Sequence, residues 1–146
     1  MEEIVYSQAV PSDEIEIKSI LAQCRLLTDD ITPHLANFVV ARVNSKIVGV
    51  IGLEACGESG LLRSLAVKPE LRLRGIAMVL HTHIFARARL LNIKELYLLT
   101  NTAFGYAFRL GFNTINREDV AKSIQATAQF QSLCPITSTC MKMSIK

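Results

Sequence analysis

The chain has 146 residues, 50% of them hydrophobic, with 16 Lys+Arg against 13 Asp+Glu and a formal charge of +3. That is enough apolar material for one domain with a real core, expected over residues 1–146, and the basic excess is too mild and scattered for a nucleic-acid surface. The acidic start Met1-Glu2-Glu3 does not resemble a signal peptide, and no apolar run approaches the roughly 20 residues that span a bilayer, so a cytoplasmic protein with no membrane partner is expected. Cys24, Cys56, Cys134 and Cys140 show no C-x-x-C spacing. Neither a zinc site nor a disulfide scaffold is indicated, and free thiols are the default.

Residues 4–10 alternate weakly and read as a first strand, followed by the turn chemistry of Pro11-Ser12-Asp13-Glu14. Asp13 with Glu16 has the form of a capping box opening a helix to about Arg25, with Ile17, Ile20, Leu21 and Cys24 on one face. Residues 27–30 break that pattern, and Thr32-Pro33 reads as an N-cap and first helical position of a short second helix. Two β-branched runs, 38–43 and 47–53, joined by Asn44-Ser45-Lys46, form a hairpin, and residues 57–60 turn the chain into another strand at 61–67.

A helix follows from Gly75 to about Leu91, with Ile76, Leu80, Ile84, Ala88 and Leu91 as its apolar stripe. With a strand at 95–99 this completes a right-handed βαβ unit with parallel strands. Thr102 caps a short helix over 103–110, ended by Gly111. Residues 112–115 read as a strand, 119–127 as helix, 128–135 as irregular and 137–145 as a last strand. The class is α+β: a mixed, mostly antiparallel sheet flanked by helices around a central parallel βαβ unit.

The junction at residues 72–77 carries the chemistry. A glycine sits where a strand-to-loop segment opens a helix, so free amides and the positive end of the helix dipole converge there, with Arg72 and Arg74 beside them. A pyrophosphate fits such an end. His81 and His83 lie about 200° apart around the same helix and cannot chelate one metal from a single face. No metal site is expected.

The segment Arg72-x-x-Gly75-x-Ala77, preceded by Leu65-Ala66-Val67-x-Pro69 and followed by Leu110-Gly111-Phe112, resembles the signature of the GNAT superfamily of acetyl-CoA dependent N-acetyltransferases. A closer similarity, to the subgroup associated with arsenic-resistance operons, runs through GLLRSLAV at 60–67, ELYLLT at 95–100 and ATAQFQSLCP at 126–135. The resemblance implies a GNAT fold whose signature strand carries a bulge and splays from its parallel neighbour. It implies acetyl-CoA as co-substrate, bound by Leu65, Ala66 and Val67 along the pantetheine arm and by Arg72, Leu73, Arg74, Gly75, Ile76 and Ala77 at the pyrophosphate. The acceptor it implies is a small-molecule primary amine, amino-acid-like or arsenic-related; a protein N-terminus or lysine, or a CoA sensor without turnover, are the alternatives. It leaves a homodimer open.

Many relatives place a tyrosine proton donor four residues before the glycine of the Gly-Phe pair. Here that position is Ala107, and Tyr106 beside it is either the acid or a residue packed on the helix flank. Since a thiolate of pKa about 8.5 scarcely requires an acid, positioning alone also stands. Glu54, ending the row of Val48, Val50 and Gly52, is either the base or a solvated strand tip. Asp29 and Asp30 either attract a cationic amine or are only solvated. Arg63 binds an acceptor carboxylate or pairs with a neighbouring acid. Only folding could gather Cys56, Cys134 and Cys140 into a thiol site.

Overall fold

The computed structural model describes residues 3–101, 103–133 and 138–145. Its strands are β1 (Val5–Gln8), β2 (Phe38–Val43), β3 (Lys46–Cys56), β4 (Ser59–Val67), β5 (Glu95–Thr100), β6 (Asn113–Thr114) and β7 (Thr139–Ser144), in the sheet order β1-β2-β3-β4-β5-β7-β6. The helices are α1 (Glu14–Gln23), α2 (Ile76–Leu90), α3 (Phe104–Leu110) and α4 (Lys122–Gln125). Pairing is antiparallel at β1/β2, β2/β3, β5/β7 and β6/β7 and parallel at β4/β5, so the architecture is the expected mixed α+β sheet. No helix among the described residues is long and apolar enough to cross a membrane.

The described residues form two compact units, one from 1–53 with 64–87 and the other from 54–63 with 88–146. In the first, Asn44 and Ser45 take φ of 50° and 69° and reverse β2 into β3. Two successive positive φ values give the turn whose twist matches that of paired strands, which is why Asn is favoured there. Ile17, Ile20 and Leu21 of α1 pack with Ile31, Leu35, Phe38, Val40, Ile47, Val50 and Ala66, and Cys24 borders this cluster. Of the expected α2 stripe, Ile76, Leu80, Ile84 and Ala88 are buried, whereas Leu91 lies just past the end of the helix and is half-buried.

In the second unit the parallel register runs Ser59↔Glu95, Gly60↔Leu96 and Leu61↔Tyr97. Its core joins Leu61, Tyr97, Val120, Ile124 and Cys140, bordered by Cys56, Ile115 and Phe130. Gly111 closes α3 at φ 111°, and the Phe112 N–H returns 3.1 Å to the Ala107 carbonyl, the glycine-terminated ending that the Leu-Gly-Phe triplet indicates.

Several local expectations are corrected. Asp13 does not cap α1, because the 3-10 turn Pro11–Asp13 runs straight into the helix and leaves Asp13 in helical geometry (φ −83°, ψ −11°). A capping side chain needs an extended backbone at that position. The Asp13 carboxylate instead accepts from Val10 N–H and Arg42, and Glu16 accepts from the Ile47 N–H at 2.7 Å. The second helix is a 3-10 segment, Thr32–Asn37, with Ile31 rather than Thr32 at its N-cap. The expected helix over 119–127 shrinks to α4, because Val120 (ψ 143°) and Ala121 (ψ 139°) are extended where Val120 enters the core. The strand expected at 112–115 is only β6, and the irregular stretch at 128–135 contains the π-helical turn Gln129–Leu133. Thr102 as a cap, Cys134 and the start of the last strand at Thr137 lie outside the described residues.

Close packing sets one sharp constraint in the first unit. A Cβ built on Gly52 stands 2.4 Å from the Phe38 ring, whose side chain is fully buried. Gly52→Ala should therefore destabilise the protein by about 1–3 kcal/mol, read as a lower urea midpoint at constant m-value. Adding Phe38→Leu should recover part of that loss, and an unchanged midpoint for Gly52→Ala alone would show that the ring moves aside freely.

Candidate active site

Residues 72–77 lie where the backbone turns sharply between β4 and α2. Lys68 N–H donates to Val48 O at 2.9 Å, Leu71 N–H to Lys68 O at 2.9 Å and Arg72 N–H to Pro69 O at 3.3 Å. These three donors are used. Beyond Arg72 the pattern stops: among the described residues nothing accepts from the backbone N–H groups of Leu73, Arg74 or Gly75. Leu73 and Gly75 take left-handed φ of 66° and 79°, and residues 72–75 are exposed. A left-handed leucine costs conformational energy, and strain of that kind gathers where a backbone is shaped for a ligand. Gly75 O accepts from Val79 N–H at 3.1 Å, so the next amides, of Ile76 and Ala77, belong to the open first turn of α2.

Before this loop, Ala66 and Val67 are buried and Leu65 is half-buried. Ser64 takes φ 58°, a left-handed non-glycine within a strand, which marks a local bulge in β4. Arg74 and Arg72 are both exposed, but the Arg72 side chain lies back along the protein, its Nε donating to Val67 O at 3.1 Å. Sequence reasoning missed that bond, and nothing in the residue pattern signals it.

Asp29 is exposed and Asp30 half-buried in the connector after α1. An Asp30 carboxylate oxygen lies 3.6 Å from His34 Nε2. On α2, His81 is buried with Nδ1 2.9 Å from Ala77 O, and burial holds its pKa below the ordinary histidine value against that hydrogen bond. His83 is exposed and stacks on Tyr6 with centroids 5.4 Å apart.

In the second unit the structure brings Glu54 and Arg63 together. Arg63 Nη1 donates to Glu54 Oε1 at 3.0 Å, with side chains 2% and 1% exposed. Of the two readings of Arg63, the pairing with a neighbouring acid is the one the geometry shows, and Glu54 is a buried residue rather than a solvated strand tip. On α3, Ala107 is buried and Tyr106 half-buried. Burial raises the Tyr106 phenol above its ordinary pKa, outweighing the opposing charge of Arg109, so its proton stays on at neutral pH. Cys24, Cys56 and Cys140 are free thiols; burial raises Cys56 and Cys140 above the usual thiol value, the Glu54 charge adding to the effect at Cys56 and Arg117 opposing it at Cys140.

Comparison with known proteins supplies the family. Residues 34–114 match the acetyltransferase (GNAT) domain, and the chain belongs to that family. Its fold is similar to N-acetylglutamate synthase from Neisseria gonorrhoeae, solved with coenzyme A and N-acetyl-glutamate, at TM-score 0.85 and 18% identity over 100% of this chain and 36% of that one. It is likewise similar to Rv2747 from Mycobacterium tuberculosis, solved with CoA and NLQ, at TM-score 0.80 and 21% identity over 97% and 99% of the two chains. A GNAT family acetyltransferase from Staphylococcus aureus Mu50 gives TM-score 0.78 and 21% identity over 99% and 100%. At these identities the likeness establishes the fold, and the chain spans about a third of the length of the Neisseria synthase. No curated protein matches it in sequence.

The buried ion pair yields a stability test. Arg63→Met removes the bonded cation from the buried Glu54 carboxylate and should cost about 3–5 kcal/mol. Glu54→Leu in the same chain should return most of that, measured by chemical denaturation. Equal losses in the single and double variants would show that the two side chains do not depend on each other.

Proposed function

We propose that this chain is an N-acetyltransferase that moves an acetyl group from acetyl-CoA to the primary amine of a small molecule. The observation that carries the reading is the run of unbonded amides at the exposed residues 73–75, shaped by two left-handed residues just before α2. An anion with several oxygens suits this end: the amides are spare, Arg74 is exposed beside them, and a Cβ built on Gly75 meets nothing within 4 Å. Leu73, Arg74, Gly75, Ile76 and Ala77 are assigned to the pyrophosphate, with Arg72 at the head of their loop and Leu65, Ala66 and Val67 of β4 offering backbone groups to the pantetheine arm. Acetyl-CoA supplies an acyl thioester that a neutral amine can attack.

The remaining roles follow from the chain's own groups. Tyr106, kept protonated by burial, is assigned the proton for the departing thiolate. Glu54 is assigned the ammonium proton by way of water, since its own side chain is 1% exposed, and Arg63 orients the carboxylate it is bonded to. Asp29 and Asp30 are assigned to attract the cationic acceptor. An amino-acid-like acceptor is supported by the similarity to an N-acetylglutamate synthase, and an arsenic-related one by the sequence subgroup. The second reading, a CoA-binding sensor without turnover, is favoured by buried Ala107 at the family's tyrosine position.

Release of free thiol from acetyl-CoA against a panel of amines, with mass spectrometry of the products, tests the reading. Coenzyme A binding without amine-stimulated release would support the sensor instead. Gly75→Glu should abolish CoA binding by placing an anion at the phosphate position, while Gly75→Asn, neutral and tolerant of left-handed φ, should largely retain it. Unchanged affinity in Gly75→Glu would reject the assigned loop. Tyr106→Phe should lower kcat about 100-fold with little change in acceptor KM if its hydroxyl is the acid; wild-type turnover removes it from the mechanism.

A further inference from the structure

The role of Arg72 can be taken further on the reading of residues 72–77 as the donor's anion site. A guanidinium at the head of that loop would be expected to reach for the phosphates. Its fork is already engaged: Nε donates to Val67 O at 3.1 Å, and Nη2 lies 3.7 Å from Cys24 Sγ. Cys24 Sγ in turn lies 3.7 Å from the same Val67 carbonyl. The end of α1, the end of β4 and the head of the loop thus close on one another through three groups. Between them, the N–H bonds of Leu71 and Arg72 fold the intervening turn.

We infer that Arg72 is a positioning residue, not a phosphate ligand through its side chain, and that Cys24 is its anchor. The planar fork holds the turn shut, so that the amides from Leu73 onward stand free and converge, and the side-chain charge offered to the anion is that of Arg74. Lysine cannot fill this role, because a single ammonium has no fork to span a carbonyl and a thiol. The thiol suits its place because it donates weakly to Val67 and accepts from Arg72. Cys24 lies before the stretch that matches the family, so the anchor comes from outside the matched residues.

The test compares wild type with Cys24→Ala, Cys24→Ser, Arg72→Lys and Arg74→Ala, by calorimetry with coenzyme A at low and high salt and by hydrogen exchange without ligand. Cys24→Ala and Arg72→Lys should each weaken CoA binding roughly 3–10-fold, the loss of about one hydrogen bond, to the same extent at both salt concentrations. Both should speed exchange of the Leu71 and Arg72 amides, and Cys24→Ser should restore most of the binding and protection. Arg74→Ala should weaken binding by a factor that shrinks in salt, with exchange unaltered. Wild-type binding in Arg72→Lys, whose ammonium keeps the charge, with unaltered exchange would make Arg72 a charge ligand of the phosphates and overturn the inference. Wild-type binding and exchange in Cys24→Ala would overturn the anchor. Failure of the wild type to bind coenzyme A would sink the donor reading instead, while exchange would still report on the bond network.

Discussion

Leaving β4 at Val67 and starting α2 at Ile76 forces the backbone to reverse within residues 68–75, and the way it spends its hydrogen bonds there governs the chemistry. The N–H groups of Lys68, Leu71 and Arg72 are consumed by carbonyls of Val48, Lys68 and Pro69; those of Leu73, Arg74 and Gly75 are not. Glycine accounts for only one of the two left-handed residues that produce this switch, and Leu73 is the other. The α2 stripe of Ile76, Leu80 and Ile84 fixes the helix axis, so the dipole points where the spare amides stand. A strand, a turn and a buried helical face thus leave backbone donors open at this junction with little contribution from side chains.

The second unit contains a different device, a buried charge pair. Glu54 and Arg63 sit on either side of the turn that joins β3 to β4, both essentially without solvent. Desolvating two charges gains little stability, and apolar residues of similar size would serve as well for that purpose. What the pair adds is orientation, since a carboxylate bonded to a guanidinium has far fewer ways to lie than one in water. This is the reason Glu54 is treated as a positioned group and not as a stray acid at a strand end.

Much of this was legible in the residues because it is periodic or local. The α2 stripe, the β2–β3 reversal at Asn44-Ser45 and the Gly111 ending of α3 follow from spacing and turn chemistry. The turn that leaves the amides of Leu73, Arg74 and Gly75 open was signalled in the same way, by a glycine at a strand-to-helix junction. What failed was local reasoning overruled by packing: the Asp13–Glu16 pattern has the form of a cap, yet both carboxylates are taken by partners far along the chain, Arg42 and Ile47. Val120 likewise leaves a helical pattern to enter the core. Glu54 and Arg63 could each be singled out, but only the folded strands show that they meet. Arg72 was read for its charge, and its commitment to Val67 and Cys24 depends on contacts 5 and 48 residues away, which no motif encodes.

Helix α1 has both ends tied. Its first turn is clipped to the β2–β3 hairpin by Asp13–Arg42 and by Glu16 on the Ile47 N–H, and just past its last residue Cys24 touches Arg72. Ten residues of helix make a stiff rod about 15 Å long. Polar contacts at either end of that rod and the apolar contacts of Ile17, Ile20 and Leu21 between them leave the helix a single seat, so the spacing from the hairpin to Arg72 is set by the length of the helix.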